Sequence, residues 1–137
     1  MLTEAQQVLA EAMPEKELQG NIIQLARPLG YLVHAERPAL HKDGSWATPI
    51  QGDAGFKDLV LVRKQSISHG HIVRGRVIWA ELKTMKGHLT EGQRIWDEFL
   101  KEAEQESYIW RPSDWFSGAI LQVLAQGNAA TFCEKVK

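Results

Sequence analysis

Two apolar segments of the sequence carry residues that could perform chemistry at one edge of a sheet. Asp58 opens the first segment, and Glu81 and Lys83 close the second. Because side chains alternate along a strand, Glu81 and Lys83 share one strand face. If the segments pair antiparallel with Arg63 opposite Arg76, Asp58 lies directly opposite Glu81. The pattern therefore predicts two carboxylates and a lysine close together.

Two carboxylates at this separation repel each other unless a cation lies between them. Hard oxygen ligands of this kind suit Mg²⁺ or Mn²⁺. A lysine two residues on could position a water molecule or stabilise charge that develops on a phosphoryl group. A solvated strand face with alternating charges would also produce Glu-x-Lys, so the surrounding residues must decide between the two interpretations.

The surrounding motifs are more specific as an ordered set. They are Gly55-x-x-Asp58-Leu-Val-Leu-Val, Glu81-Leu-Lys83, Leu89-Thr-x-x-Gln93 and Trp110-Arg-Pro-Ser-Asp-Trp115. This series resembles the VRR-NUC family of the PD-(D/E)XK nuclease superfamily over about residues 14 to 125. The resemblance implies an α/β, restriction-endonuclease-like fold with a central mixed sheet flanked by helices.

The resemblance also implies a metal-dependent phosphodiesterase acting on DNA. In that case Asp58, Glu81 and the backbone carbonyl of Leu82 bind one or two Mg²⁺ or Mn²⁺ ions, and Lys83 orients the attacking water. The family usually has proline immediately before the metal-binding aspartate, whereas this chain has Lys57. The lysine frees a backbone torsion and adds a cation, which could shift a DNA contact or weaken the site.

Two further residues are candidates for the same site. Superfamily members often contribute a glutamate from the first helix, and the helical periodicity turns Glu15 further inward than Glu17. First-turn acids are also favoured by the helix dipole, which explains either glutamate equally well. Gln93 corresponds to a glutamine that faces the active site in the family. It also completes a capping box with Thr90, so it has a structural explanation as well.

Any nucleic-acid contact must come from a local patch, because the formal net charge of the chain is -1. Two of the candidates are His41 and Lys42, which lie in the long connection 37–55. We include them because connections of this length often bind ligands. The complete set of candidate DNA-binding residues is Lys57, Lys86, His88, Arg94, His41 and Lys42.

Composition bounds the class of protein. The 137 residues, of which 44% are hydrophobic and 24% charged, are typical of one globular domain over 1–137, with 126–137 as a tail of no clear periodicity. The single Cys133 excludes an internal disulfide and a cysteine-rich zinc site. No apolar run predicts a membrane span, so we expect a cytoplasmic protein. The resemblance to stand-alone family members suggests a bacterial or phage-encoded one.

The expected elements follow from periodicity and cap residues. Thr3 and Thr90 each open a helix with a capping box, Ser113 is a good N-cap for a closing helix, and 64–75 forms an exposed hairpin tip. We expect strand 107–111 to run parallel to strand 76–83, because a helix connects them. The predicted elements are helices 3–13, 15–28 and 90–106, a closing helix through 125, and strands 31–36, 58–63, 76–83 and 107–111. The predicted buried stripe of helix 90–106 is Ile95, Trp96, Phe99, Leu100 and Ala103.

Our expectations for the assembly and the substrate depend mainly on the resemblance. Stand-alone family members are similar to Holliday-junction resolvases, and symmetric dimers are the commonest assembly. We therefore expect a homodimer that nicks branched DNA, with its interface in the first helix or the C-terminal tail. The alternatives are a non-catalytic nucleic-acid-binding module, favoured by Lys57, and a nuclease acting on flaps, duplex DNA or RNA.

Overall fold

The computed structural model describes residues 1–36, 39–40, 44, 46–47, 51–126 and 133–135. These residues form a mixed α/β structure around a four-stranded sheet, as expected. The sheet consists of β1 (Leu32–Ala35), β4 (Leu59–Arg63), β7 (Arg76–Leu82) and β8 (Glu106–Trp110), in that spatial order. Two short strands, β2 (Ala39–Leu40) and β3 (Trp46–Ala47), pair separately.

The predicted strand pairing is confirmed. Strands β4 and β7 are antiparallel, with Arg63 opposite Arg76 and Leu59 opposite Ala80. Strand β8 lies parallel to β7, as expected for strands joined through a helix. Strand β1 pairs antiparallel with β4, so the sheet is mixed.

Helices lie along both sides of this sheet. They are α1 (Glu4–Ala12), α2 (Glu15–Ala26), a 3-10 turn (Arg27–Leu29), α3 (Glu91–Glu102), α4 (Pro112–Phe116) and α5 (Ala119–Ala125). Thr3 and Thr90 cap α1 and α3 with the predicted capping boxes. The helices of the described ranges include none long and apolar enough to cross a membrane.

The hydrophobic core lies on one face of the sheet. Alternating residues of β4 and β7 point into it, since side chains of a strand alternate between faces. Helices α2 and α5 cover that face and bury their own apolar side chains against it. The most deeply buried members are Leu18, Ile22, Leu59, Leu61, Ile78, Ala80, Leu82, Ile120 and Leu124.

The closing helix and the tail differ from expectation. The predicted single helix begins at Pro112, so Ser113 is not its N-cap, and it is broken before α5. Gly118 causes the break, because its φ of 85° lies in the left-handed region. In the tail, the residues of β9 (Cys133–Lys135) pair with β6 (His71–Val73). Strand β6 also pairs with β5 (Ser66–Ser68) around the exposed tip at His69 that the sequence predicts.

The predicted apolar stripe of α3 was partly wrong. Leu100 is buried, but Ile95 and Phe99 are 46% and 69% exposed. Helix α3 is rotated relative to the prediction, because Asp97 rather than an apolar residue faces β8. Ser107 Oγ on β8 donates to Asp97 Oδ1 at 2.6 Å. A polar contact therefore sets which side of α3 is buried.

The segment before β4 is held close to the beginning of α3. The Trp96 indole N–H donates to the carbonyl of Asp53 at 3.2 Å, and the Phe56 ring packs edge-on against Trp79 and Trp96. A Cβ on Gly55 would lie 2.2 Å from the carbonyl carbon of Gly92, so only glycine allows this approach. The backbone contact fixes the beginning of α3 against the segment before β4.

We predict that Gly55→Ala destabilises the protein much more than Gly52→Ala. Both glycines have a φ of 99°, but a Cβ at Gly52 meets nothing within 4 Å. Gly52→Ala should cost about 1 kcal/mol for backbone strain alone. Gly55→Ala should cost roughly 3 kcal/mol, because overpacking against Gly92 adds to the strain. Urea denaturation measures both, and equal losses would contradict the close backbone contact.

Candidate functional site

The two candidate carboxylates meet at the end of the β4–β7 pair. The register that places Leu59 opposite Ala80 brings Asp58 next to Glu81. The backbone N–H of Leu82 donates to Asp58 Oδ2 at 2.7 Å, and the N–H of Glu36 donates to the Asp58 carbonyl at 3.2 Å. Asp58 is thus anchored from both neighbouring strands, which limits the positions its carboxylate can take.

Glu81 is buried to 1% exposure, although it carries a carboxyl group. Its Oε2 accepts a hydrogen bond from Gln93 Nε2 at 3.2 Å. Among the described residues, only the neighbouring Asp58 carboxyl offers the buried Oε1 side of Glu81 a hydrogen bond, and that bond requires a proton on one of the two acids. Acids whose pKa is shifted this far often occur at functional sites.

Electrostatics favours the neutral form of Glu81. Burial raises the pKa of Glu81 to about 9, and a hydrogen bond to the Asp58 carboxyl and the charge of that group act in the same direction. The charges of Lys83 and Lys57 oppose this shift only in part. Without a cation the two acids therefore share a proton, and a cation in place of that proton would let both groups be charged.

Lys83 and Glu15 complete the cluster. Lys83 is 9% exposed, and its backbone N–H donates to the Trp110 carbonyl at 3.0 Å. Partial burial raises the pKa of Glu15, with Lys83 opposing the shift and Asp58 adding to it. Glu15 at the beginning of α2 is therefore within electrostatic reach of both residues. The Glu15 residue is exposed, and its contribution to the site stays a prediction.

Gln93 fills both of the roles that the sequence left open. Its Oε1 accepts from the backbone N–H of Thr90 at 2.9 Å, which closes the capping box. Its amide nitrogen donates to Glu81. One side chain therefore fixes the beginning of α3 and the orientation of a candidate metal ligand.

The donor atoms present fit a hard divalent cation. Asp58 and Glu81 would supply carboxylate oxygens, among them the buried Glu81 Oε1, once a cation displaces the proton of Glu81. These are the oxygen ligands that Mg²⁺ and Mn²⁺ prefer, with water filling the remaining positions. Within the described ranges, no three His, Cys, Asp or Glu side chains are grouped tightly enough to hold a metal by themselves.

The candidate DNA-binding residues divide into three groups. Lys86, His88 and Arg94 are exposed, and each follows Lys83 or Gln93 within five residues in the chain. His41 and Lys42 lie outside the described residues. Lys57 does not fit a DNA-binding role, because its side chain is fully buried and its Nζ donates to Asp97 Oδ1 at 2.8 Å.

An arginine that the sequence did not single out for a role supports the turn after Lys83. The Arg111 guanidinium donates to the carbonyls of Thr84 and Gly87 at 2.6 and 2.8 Å. This turn carries the exposed Lys86. Arg111 belongs to the Trp110–Trp115 motif, so its position in that motif was the available signal.

Asp97 is the other residue that sequence reasoning missed. It accepts hydrogen bonds from Lys57, Lys101 and Ser107 at 2.8, 2.8 and 2.6 Å. Burial raises the pKa of Asp97, but the hydrogen bonds from these three donors lower it by more, and the resulting pKa is about 2. Asp97 lies four residues after Gln93, which places both on one face of the helix, and this spacing could have identified Asp97 from the sequence.

Comparisons of the chain with protein-family models, with curated proteins and with solved structures give no match.

We predict that Asp97 makes stability depend on acid pH. Because its folded pKa of about 2 lies below the ordinary value of 3.8, its contribution is complete above pH 4. It is lost as the pH falls through 2, and the change is about 2 kcal/mol. The unfolding free energies of the wild type and Asp97→Asn, measured in urea from pH 6 to 2, should therefore converge as the pH falls. Glu98→Gln, at the exposed neighbouring acid, is the control. A constant difference between the wild type and Asp97→Asn would contradict the charge assignment.

Proposed function

We propose that this protein is a divalent-metal-dependent DNA endonuclease. The observation that carries the proposal is the buried Glu81 carboxyl beside Asp58, because two acids this close are favourably charged together only with a cation between them. The motif series that resembles the VRR-NUC family supports the same assignment. The mixed sheet flanked by helices is compatible with a restriction-endonuclease-like fold, which we include in the proposal.

The proposed chemistry is hydrolysis of a phosphodiester. Asp58 and Glu81 hold Mg²⁺ or Mn²⁺, together with the Leu82 carbonyl. The cation, when bound, supplies charge neutralisation at the scissile phosphate and lowers the pKa of the attacking water. Lys83 lies beside the carboxylates and orients that water, while Glu15 adds a further acid at the same edge.

The polar residues around the carboxylates position the reactants. Gln93 holds Glu81 in one orientation through its amide nitrogen. Lys86, His88 and Arg94 are exposed and bind the phosphates of the substrate backbone. Arg111 keeps the turn of Lys86 in place by binding its carbonyls.

A non-catalytic nucleic-acid-binding module is the second candidate. The feature that favours it is Lys57, which stands where the family usually has proline. Because the Lys57 side chain is buried against Asp97, it adds no surface charge for DNA. Calorimetric titration with Mn²⁺ separates the two candidates, since a binding module has no need to retain the cation.

We predict that Glu81→Ala and Lys83→Ala each lower the Mg²⁺-dependent cleavage rate by at least about a hundredfold. Both side chains lie where charge develops during hydrolysis. The measurement is single-turnover cleavage of labelled DNA, with circular dichroism to verify folding. Glu102→Ala, at an exposed acid on α3, is the control and should cleave normally. Full activity of both site variants would refute the assignment.

The two acids of the first turn of α2 allow a matched comparison. The charges of Lys83 and Asp58 act on the Glu15 carboxyl. Glu15→Ala should therefore reduce the cleavage rate by roughly tenfold or more. Glu17→Ala removes the same charge from the same turn and should have little effect. If both variants behaved alike, Glu15 would be only a helix-dipole residue.

We also propose that the active form is a homodimer that nicks branched DNA in pairs. Two strands are cut together when two active sites are related by a two-fold axis, and a four-way junction has matching symmetry. Helix α1 offers an interface, because Val8 and Leu9 are 66% and 57% exposed. The proposal assigns these two side chains to the contact between the subunits.

We predict a dimer by light scattering and faster cleavage of four-way junctions than of flaps, duplex or single-stranded DNA. Leu9→Asp should give a monomer with weakened paired nicking, because it places a charge in the α1 interface. Leu121→Asp, at a leucine that is 48% exposed on α5, is the matched control. A monomeric wild type that prefers flaps or plain duplex would overturn the assembly and substrate while leaving the metal site unaffected.

A further inference from the structure

Lys57 is the least expected buried residue of the protein. Its side chain has an exposed fraction of 0%, and its Nζ lies 2.8 Å from Asp97 Oδ1. Burying a charged pair removes two ions from water, and apolar residues of similar size often stabilise a fold as well or better. Stability alone is therefore a weak reason for a lysine at this position.

The partners of Asp97 form a compact network. Ser107 Oγ on β8 donates to Asp97 Oδ1 at 2.6 Å, and Lys101 Nζ lies 2.8 Å from Asp97 Oδ2. Lys101 is 57% exposed, so its pairing with Asp97 is largely solvated. Lys57 is the buried cation of the network, and it connects the segment before β4 to α3 and β8.

Each residue of the Lys57–Asp97 pair is connected to one of the two candidate metal ligands. Lys57 directly precedes Asp58 in the chain. Asp97 lies one helical turn after Gln93, which donates to Glu81 Oε2 at 3.2 Å. Because Gln93 holds the Glu81 carboxyl, a shift of α3 relative to β4 would move that carboxyl relative to Asp58. The ion pair resists that shift, as does the close approach of Gly55 to Gly92 at the beginning of α3.

We propose that Lys57 and Asp97 are positioning residues that set the separation of the metal-binding carboxylates Asp58 and Glu81, which rests on the function proposed above. The pair acts through geometry, by fixing α3 to the beginning of β4. Residues that orient metal ligands without touching the metal typically change metal affinity 10- to 100-fold when they are substituted.

The test is calorimetric titration with Mn²⁺ of the wild type, Lys57→Met, Asp97→Asn, the double variant and Lys101→Met. We expect Lys57→Met and Asp97→Asn each to bind Mn²⁺ roughly 10- to 100-fold more weakly than the wild type. The double variant should be no weaker than the weaker single variant, because both changes break one contact. Lys101→Met removes the exposed cation from the same aspartate and should stay within about twofold of the wild type.

The double variant leaves neither charge buried alone, so it should retain the fold. It therefore keeps the test decisive if a single variant fails to fold. Circular dichroism verifies that each titrated variant is folded. A folded double variant with Mn²⁺ affinity within about threefold of the wild type overturns the positioning role. Tighter binding by Lys57→Met also overturns it, because charge repulsion rather than geometry would then set the affinity. A wild type that binds no Mn²⁺ overturns the proposed function itself, and the positioning role with it.

Discussion

The close approach of the Asp58 and Glu81 carboxyl groups is the constraint on which the rest of the structure depends. The two groups are held at the end of a strand pair, and Glu81 is almost completely buried. Burial and the neighbouring acid raise the pKa of Glu81 to about 9, so placing these two acids together costs free energy that the surrounding fold must offset. The apolar face of β4 and β7 provides the necessary stability, because it is buried beneath α2 and α5.

The supports of the site come from elements that are distant in sequence. The Gly55–Gly92 approach, the Gln93 amide and the buried Lys57–Asp97 pair all connect α3 to the strands that carry the carboxylates. Preorganisation of this kind lets charged groups act in a reaction without rearranging first.

Much of the fold and the centre of the site were predictable from sequence because they depend on local rules. Alternation along the strands gave the register that brings Asp58 to Glu81, and the Thr90 capping box gave the beginning of α3. The Lys57–Asp97 pair was not predictable, because its residues lie 40 positions apart and the contact depends on how α3 rotates. That rotation also exposed Phe99, which helical periodicity alone placed in the core. The three residues of β9 are too few for a periodic signal.

The most direct measurement is a crystal structure of the protein soaked in Mn²⁺, with data collected to locate the metal by anomalous scattering. The proposed site predicts an anomalous peak between the carboxylates of Asp58 and Glu81, with metal–oxygen distances of about 2.1 Å. The buried Glu81 Oε1 should be one of the ligands. A fully occupied peak elsewhere, or a Glu81 carboxyl that instead hydrogen-bonds to Asp58 in the presence of Mn²⁺, would contradict it.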